Sequence, residues 1–388
     1  KYSSPVTTVL STRSGTNQWH GGLFYTGRNN GFGVARQRQD FYTKPPQLIR
    51  NEYGASLGGP VRLPHLYNGK DRTFFFFAWE AYSLRSGSTI STNLPTPAMQ
   101  QGDFSQLTDG QSRPVTLYDP WSTAGAAQNY SRVPFSRNVI PAGRRSPFAA
   151  HYYSVMPQPN QPDVNPSVAA NWFGPNPTKQ NDWTYTTRID HRLGDRDRIF
   201  GRYTIGSRTV LNRRPNQPTP VSLDKLWNSQ DNVEKTQSGS LTWNHTFGPA
   251  LFVETVFTAA RMDWRFDMLE ATANQNLAPK LGVPNPFNIP GAPNLSNMGF
   301  SLQGTGFIPR ADDTKPVTGE QNYTLVRGKH QLEFGWRAQR MILDVLPDRP
   351  GEGAISFASQ ATGLYDPATG TAFNSLPRTG DNGANFLL

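Results

Sequence analysis

The joins between the strand-like segments of this chain alternate in length, and this alternation constrains the fold more than any single motif. Segments of alternating polar and apolar residues are separated by tight turns at residues 194–196, 248–249 and 328–329, and by long joins rich in Pro, Gly and Asn. The long joins are residues 29–50, 84–180, 207–232 and 265–315. Because an antiparallel chain reverses direction at each join, the short turns fall at one end of the predicted sheet and the long loops at the other.

The alternation is clearest in residues 182–190 and 238–247. In the first segment, Trp183, Tyr185 and Ile189 alternate with polar residues, and in the second, Leu241 and Trp243 do the same. Because successive side chains of a strand point to opposite faces, each segment has one apolar and one polar face. The same criterion predicts about nine strands, or ten if residues 354–357 form another. The nine are 19–28, 51–61, 73–83, 182–190, 198–205, 238–247, 251–258, 322–327 and 330–342.

The lengths of the predicted strands and the positions of the aromatic residues favour membrane-spanning strands over a soluble sheet. Several segments run to about ten residues, close to the 9–11 of a tilted membrane-spanning strand and longer than the 5–6 usual in soluble sheets. Aromatic residues lie near many strand ends, which fits rings at headgroup level and equally fits the ordinary strand propensity of aromatics. The run from Phe74 to Phe77 has no alternation, so the pattern leaves its outward face unassigned.

We therefore predict an all-β fold, an antiparallel transmembrane β-barrel with long extracellular loops, of which about nine or ten strands are present. No run approaches the roughly 20 apolar residues of a spanning helix. Lys1 follows neither an initiator Met nor a leader, so we expect a piece of a larger chain. Unpaired sheet edges are not tolerated in lipid, so we expect the closing strands beyond Leu388.

The composition argues against several functional classes. The chain has no cysteine, which excludes disulfides and thiolate chemistry. The net charge of +10 is spread over scattered basic residues without a basic run, so we expect no nucleic-acid partner. The six histidines lack a metal-ligand spacing, and no phosphate loop or nucleophile motif occurs. We expect no catalytic residues, no metal, no cofactor and no enzyme activity.

An acidic cluster and two sets of candidate site residues remain. Asp195 and Asp197 lie among arginines, which favours a salt-bridged turn over a calcium site. Aromatics of the longest loop are expected to fold that loop onto itself as a compact lid, and they are also candidate solute contacts. They are Phe104, Tyr118, Trp121, Tyr152 and Tyr153.

If the apolar faces meet lipid, charged residues of the strands face the lumen, because a charge on the lipid face costs roughly 2–4 kcal/mol at the midplane. The candidate lumen-facing residues are Arg28, Arg188, Arg198, Arg202, Arg337, Glu254 and Glu333. The expected lining is polar and mildly basic. It would attract anionic solutes, contact the carboxylates of a plug, or simply be solvated.

Several phrases resemble the Oar-like group of TonB-dependent receptors, which carry a carboxypeptidase-regulatory-like domain at the N-terminus. Residues 11–21 (STRSGTNQWHG) resemble the junction where the plug of such a receptor passes into its barrel. Further resemblances are residues 50–54 (RNEYG), 57–60 (LGGP), 70–76 (KDRTFFF), 102–105 (GDFS), 134–141 (PFSRNVIP), 327–332 (RGKHQL) with 334–335 (FG), and 386–388 (FLL). Together they span nearly the whole chain.

The resemblance implies that residues 1–17 are the end of the plug and the junction, and that 18–388 are the N-terminal portion of an outer-membrane barrel. It implies a receptor that binds a large extracellular solute and imports it through a plugged lumen. The implied partners are outer-membrane lipid, the plug of the same parent chain, and the TonB complex through an N-terminal region that this sequence lacks. The alternatives are a surface adhesion or assembly protein of the same fold and a soluble, secreted, carbohydrate-binding β-sandwich.

Overall fold

A nine-stranded antiparallel sheet forms the body of the protein. The computed structural model describes residues 12–32, 47–125, 130–212, 230–268, 279, 283–288, 294–299, 310–346, 354–364 and 376–388. The strands are β1 (His20–Asn29), β2 (Leu48–Pro60), β3 (Arg62–Leu63), β4 (Tyr67–Asn68), β5 (Thr73–Thr92), β6 (Trp172–Arg192), β7 (Asp197–Asn212), β8 (Gln230–Gly248), β9 (Leu251–Met268), β10 (Asn294–Ser296), β11 (Arg310–Arg327), β12 (His330–Leu346) and β13 (Ala354–Ser356). The α-helices within the described residues are α1 (Pro97–Gln100), α2 (Pro147–Val155) and α3 (Asn382–Leu387).

The order of the sheet is β1-β2-β5-β6-β7-β8-β9-β11-β12, so each strand pairs with the next long strand along the chain. The predicted all-β antiparallel fold and all nine predicted strands are confirmed. The optional tenth strand also forms, as β13, but it pairs in parallel with β10 and is not part of the main sheet. The sheet is not closed on itself: β1 and β12 form its two edges.

The predicted alternation of joins is also confirmed. β6 and β7 are joined by residues 193–196, β8 and β9 by 249–250, and β11 and β12 by 328–329. Gly328 has a φ of 62°, which a residue without a side chain adopts at no steric cost. The join from β2 to β5 holds the β3–β4 hairpin at the same end, and the long joins lie at the opposite end.

The strands extend farther toward the long joins than predicted, and β5 and β6 reach 20 and 21 residues. Their loop is therefore residues 93–171 instead of 84–180. The alternation fails there because both faces are polar, and the prolines at 175 and 177 argue against a strand. They are tolerated because, among the described residues, β6 pairs at that level with β5 alone, and its pairing to β7 begins at Lys179.

Most of the buried apolar residues lie outside the sheet. Segments 93–171, 294–299, 354–364 and 376–388, called the cap below, pack around one hydrophobic cluster. Phe386 of α3 lies at its centre and makes edge-on ring contacts with Tyr152, Tyr153 and Phe357. The buried Asn171 closes the base of the cap, because its side chain bonds both the backbone N–H and the carbonyl of Leu94, at 2.7 and 2.8 Å. Segments of two joins and of the chain after β12 thus fold into one unit at the long-loop end.

None of the helices among the described residues is both long enough and apolar enough to cross a bilayer.

Candidate functional site: the polar face and the segment that crosses it

The strand register divides the sheet into one polar and one apolar face. Paired residues of neighbouring strands share a face, so the register carries an assignment from strand to strand. Arg188 pairs with Arg202, Arg198 with Asn244, and Asn244 in turn with Glu254. Continued across the sheet, this places all seven predicted lumen-facing residues on the same face, namely Arg28, Arg188, Arg198, Arg202, Arg337, Glu254 and Glu333.

The opposite face carries the apolar residues, and the register assigns the phenylalanine run that the pattern left open. Phe75 pairs with Ile189 and Phe77 with Thr187, on the apolar face. Phe74 and Phe76 pair with Asp190 and Arg188, on the polar face. Two aromatic rings thus lie among charged groups, which alternation alone does not reveal.

A buried carboxylate organises the polar face near the short turns. Asp190 has a side chain only 2% exposed, and Arg188 binds it with two hydrogen bonds of 2.8 and 2.9 Å. Arg198 on the neighbouring strand adds a third of 2.7 Å. The Arg188 guanidinium also stacks on the ring of Phe200, 4.2 Å from its centre. A buried charge with several charged hydrogen-bond partners is held in one geometry.

The segment of residues 12–18, called the strap below, crosses this cluster. The Ser14 hydroxyl donates to Asp190 at 3.0 Å, and Arg188 donates to the Thr12 carbonyl at 3.0 Å. Arg202 donates to the Thr12 hydroxyl at 3.2 Å. The backbone N–H of Asp71 donates to the Asn17 side chain at 2.8 Å, which holds the far end of the strap. The charged groups of the sheet therefore fix the chain that leads into β1.

Glycines let the strap lie directly on the sheet. A Cβ on Gly15 would lie 2.3 Å from the Phe75 carbonyl oxygen and 2.8 Å from that of Gly59, so a side chain does not fit. A Cβ on Gly58 would lie 3.2 Å from both the Phe75 carbonyl oxygen and the Phe76 ring, and 3.6 Å from the Gly15 Cα, so a side chain there would be tight against the sheet. β2 ends at Pro60, near the end of the predicted strand 51–61, and the close packing around Gly58 and Gly15 gives a physical reason for glycine at both positions.

The polar face also has an acidic region nearer the long loops, where the sequence predicted a mildly basic lining. A pocket of about 400 Å³ is lined by side chains of Phe24, Glu52, Glu80, Tyr82 and Asp182. Arg50 and Gln180 bond two of these carboxylates. The polar face is therefore basic around the strap and acidic around this pocket, and Arg28 and Arg50 pair on the loop side of the acidic residues.

The five loop aromatics predicted to contact a solute lie in different environments of the cap. Phe104, Tyr152 and Tyr153 are buried in its hydrophobic cluster, where their rings pack against cap residues. Burial raises the pKa of both tyrosines above the ordinary phenol value. Tyr118 is half-buried, and its backbone N–H donates to the Thr362 carbonyl at 2.8 Å. Trp121 is 69% exposed, with the Arg144 guanidinium 3.6 Å from its ring centre.

The acidic residues of the 193–196 turn region are engaged differently from the prediction. Asp197 accepts hydrogen bonds from the Trp243 indole at 2.9 Å and is bonded to His245 at 2.6 Å. Arg198 pairs with Asp190 instead of the turn carboxylates. Among the described residues, no group of three or more His, Asp or Glu side chains is arranged to hold a metal ion.

An apolar outer face, a polar inner face crossed by a strap, and alternating short and long joins together define an outer-membrane barrel wall. The chain matches the model of the outer membrane beta barrel domain family over residues 11–388, and it belongs to that family. Its location is therefore the bacterial outer membrane, where the apolar face contacts membrane lipid. No curated protein matches the chain.

Proposed function

We propose that this chain is the plug junction, barrel wall and cap of a TonB-dependent receptor of the Oar-like group, which imports a large solute through a plugged lumen. The main observation that supports the proposal is the binding of the strap to the polar face. The strap is bound by Arg188, Asp190 and Arg202 on the face opposite to the lipid-contacting one, as a chain segment leading out of a lumenal plug would be. The sequence resemblance of residues 11–21 to a plug junction points to the same role.

In this proposal the seven charged residues of the polar face line the lumen, and the cap lies on the extracellular side, where a solute first binds. The plug precedes the strap, and the TonB complex acts on the plug from the periplasm. The proposal involves no covalent chemistry. Trp121 is the predicted loop aromatic with an exposed ring, which supports it as a solute contact at the cap surface.

Energy-dependent depletion of solutes from medium tests the import proposal. Cells that express the intact receptor, and cells whose receptor lacks residues 93–171, are incubated in spent culture medium, and large solutes remaining in the medium are measured by mass spectrometry. Import predicts a solute that only the intact receptor removes, and whose removal stops when a protonophore collapses the proton gradient. If no large solute is depleted from the medium by either kind of cell, the import proposal is wrong.

A second candidate is surface adhesion by the same barrel, and the packed cap favours it. The cap buries three of the five predicted solute-contacting aromatics in its own cluster, so it is a folded surface domain as well as a lid. Adhesion predicts that binding to a solute or surface persists in the presence of the protonophore. The soluble β-sandwich alternative is not retained, because the chain belongs to an outer-membrane family.

A further inference from the structure

The apolar outer face contains a groove across four strands. It has a volume of about 400 Å³ and runs over β6, β7, β8 and β9. The apolar side chains around it are those of Ile189, Tyr203, Leu241, Phe257 and Ala259, and its floor includes Gly201 and Gly239. By register, Gly201 lies beside Leu241 and Gly239 lies beside Tyr203. A hollow lined in this way fits a hydrocarbon chain.

Neither glycine is required by the backbone. A Cβ on Gly201 would have its nearest neighbour at 3.8 Å, and a Cβ on Gly239 likewise at 3.8 Å, which is ordinary contact. Neither residue has a φ in the left-handed region. Glycine within a strand is less stable than alanine by about 0.5–1 kcal/mol. The two glycines leave the floor of the groove open, and this is the structural result of the stability that they lose relative to alanine.

On the long-loop side of the apolar face, the charged residues nearest to the apolar side chains are cations. Arg261 lies two residues beyond Ala259 on β9, roughly 7 Å along the strand. Lys315 on β11 and Arg340 on β12 lie on the same face, close to the same level. Acidic residues of that face lie one step farther from the membrane, at Asp263, Asp313 and Asp344.

Two of these cations are held in place, and the third is unpaired. Asp313 accepts hydrogen bonds from Arg261 at 2.9 Å and lies 2.9 Å from the Lys315 ammonium. Arg340 makes no ion pair with the described residues. Lys315 also donates to Asp344 at 2.8 Å. The Lys315 ammonium and the Nη1 of Arg261 each keep a donor that these carboxylates do not bond, and this donor is available to a lipid phosphate.

We propose that this groove and cation row bind one phosphorylated glycolipid of the outer leaflet, with an acyl chain in the groove and a phosphate at Arg261 and Lys315. The groove runs from residues 187–189 of β6, near the short turns, to Ala259 of β9, next to the cation row on the long-loop side. Long loops of outer-membrane barrels are extracellular, so the outer leaflet supplies the lipid. The proposal rests on the orientation of the two faces and is independent of whether the receptor imports a solute.

Binding of two matched lipids to the intact, detergent-purified protein tests this site by native mass spectrometry. The probes are diphosphorylated lipid A and the same lipid with both phosphates removed. We expect the wild-type protein to retain the phosphorylated form at least about tenfold better, a difference of about 1.4 kcal/mol. Equal retention of the two forms would overturn the phosphate assignment.

Four variants separate the groove from the cation row. The double variant Arg261→Gln with Lys315→Gln is expected to lose the preference for phosphate. Arg265→Gln, on the same strand and face but farther from the apolar band, is the matched control and should keep it. Gly239→Val and, separately, Gly201→Val fill the groove and should reduce retention of both lipids severalfold. If both fold, by urea unfolding, and still bind as wild type, the groove is not the acyl-chain site.

Discussion

At the scale of single residues, Asp190 has the largest structural consequence on the polar face. Its carboxylate accepts from two arginines on adjacent strands and from Ser14 of the strap, so one buried charge connects three parts of the chain. Without Asp190, Arg188 and Arg198 would be two like charges near one another with no acid between them. The strap would then lose its bond to the sheet through Ser14.

The first prediction is that Asp190→Asn releases the strap. A hydrogen bond to a charged group contributes about 1.5–3 kcal/mol, so its loss should raise local opening at least about tenfold. Trypsin cleavage after Arg13, which is exposed, measures that opening in purified protein. Asp195→Asn makes the same change in the exposed turn and should leave the rate unchanged. A strap cleaved equally slowly in all three proteins would show that Asp190 does not hold it.

Most residues of the polar face could be predicted from the sequence, because the alternation of side chains along a strand assigns each residue to a face without knowledge of the neighbouring strands. Arg188 and Asp190, two positions apart on one strand, already share a face in the sequence. The bond from Ser14 to Asp190 was not predictable, since it joins residues 176 positions apart in sequence. The phenylalanines at 74–77 needed the pairing to β6, because four identical residues carry no alternation.

At the scale of elements, α3 depends on Asp381, whose side chain accepts the N–H of Ala384 at 2.9 Å and caps the helix. Burial is the main cause that raises the pKa of this carboxyl, and the backbone hydrogen bonds only partly oppose it. A raised folded pKa means that the group contributes full stability below its unfolded pKa of about 3.9 and loses it as the pH rises through the folded value. The cap should therefore be weakened by Asp381 near neutral pH.

The second prediction follows for Asp381→Asn. Asparagine keeps the cap acceptor without the charge, so the variant should gain stability relative to wild type as the pH rises from 4 to 8. Urea unfolding of both proteins across this range measures the difference, in which the titration of other groups cancels. Asp381→Ala is the control for the cap itself and should lose about 0.5–2 kcal/mol. A difference between wild type and Asp381→Asn that does not change with pH would contradict the account.

The third prediction compares two adjacent residues of β9. Phe257→Arg places a charge on the apolar face and should cost roughly 2–4 kcal/mol of unfolding free energy in lipid. Thr258→Arg, one position along, places the same charge on the polar face, where Thr258 pairs with Ser240 and Thr318, and should cost much less. Unfolding by urea from vesicles gives both values. Equal costs would mean that the two faces have been assigned wrongly.

At the scale of the whole molecule, the lengths of the joins distinguish the two ends of the sheet, because the short turns lie at one end and the cap lies at the other. The sequence predicted the number and order of strands, since each is a local pattern bounded by turn residues. It predicted that the longest loop folds into a compact lid, but it did not predict that residues 295–298 and 384–387 join the core of that lid, because no local pattern connects these segments. The two joins and the chain after β12 lie at the same end of one meandering sheet, and this proximity lets their apolar residues pack together.

The fourth prediction concerns the direction of the wall in the membrane. The chain has no cysteine, so a single introduced cysteine reports one position. Ser122→Cys, in the cap next to the exposed Trp121, should react in intact cells with a maleimide that does not cross the outer membrane. Asp195→Cys, in an exposed turn at the opposite end, should react only after the cells are broken. The reverse result would place the cap in the periplasm, and the proposed solute and glycolipid sites would then both be on the wrong side, because each depends on the long loops facing outward.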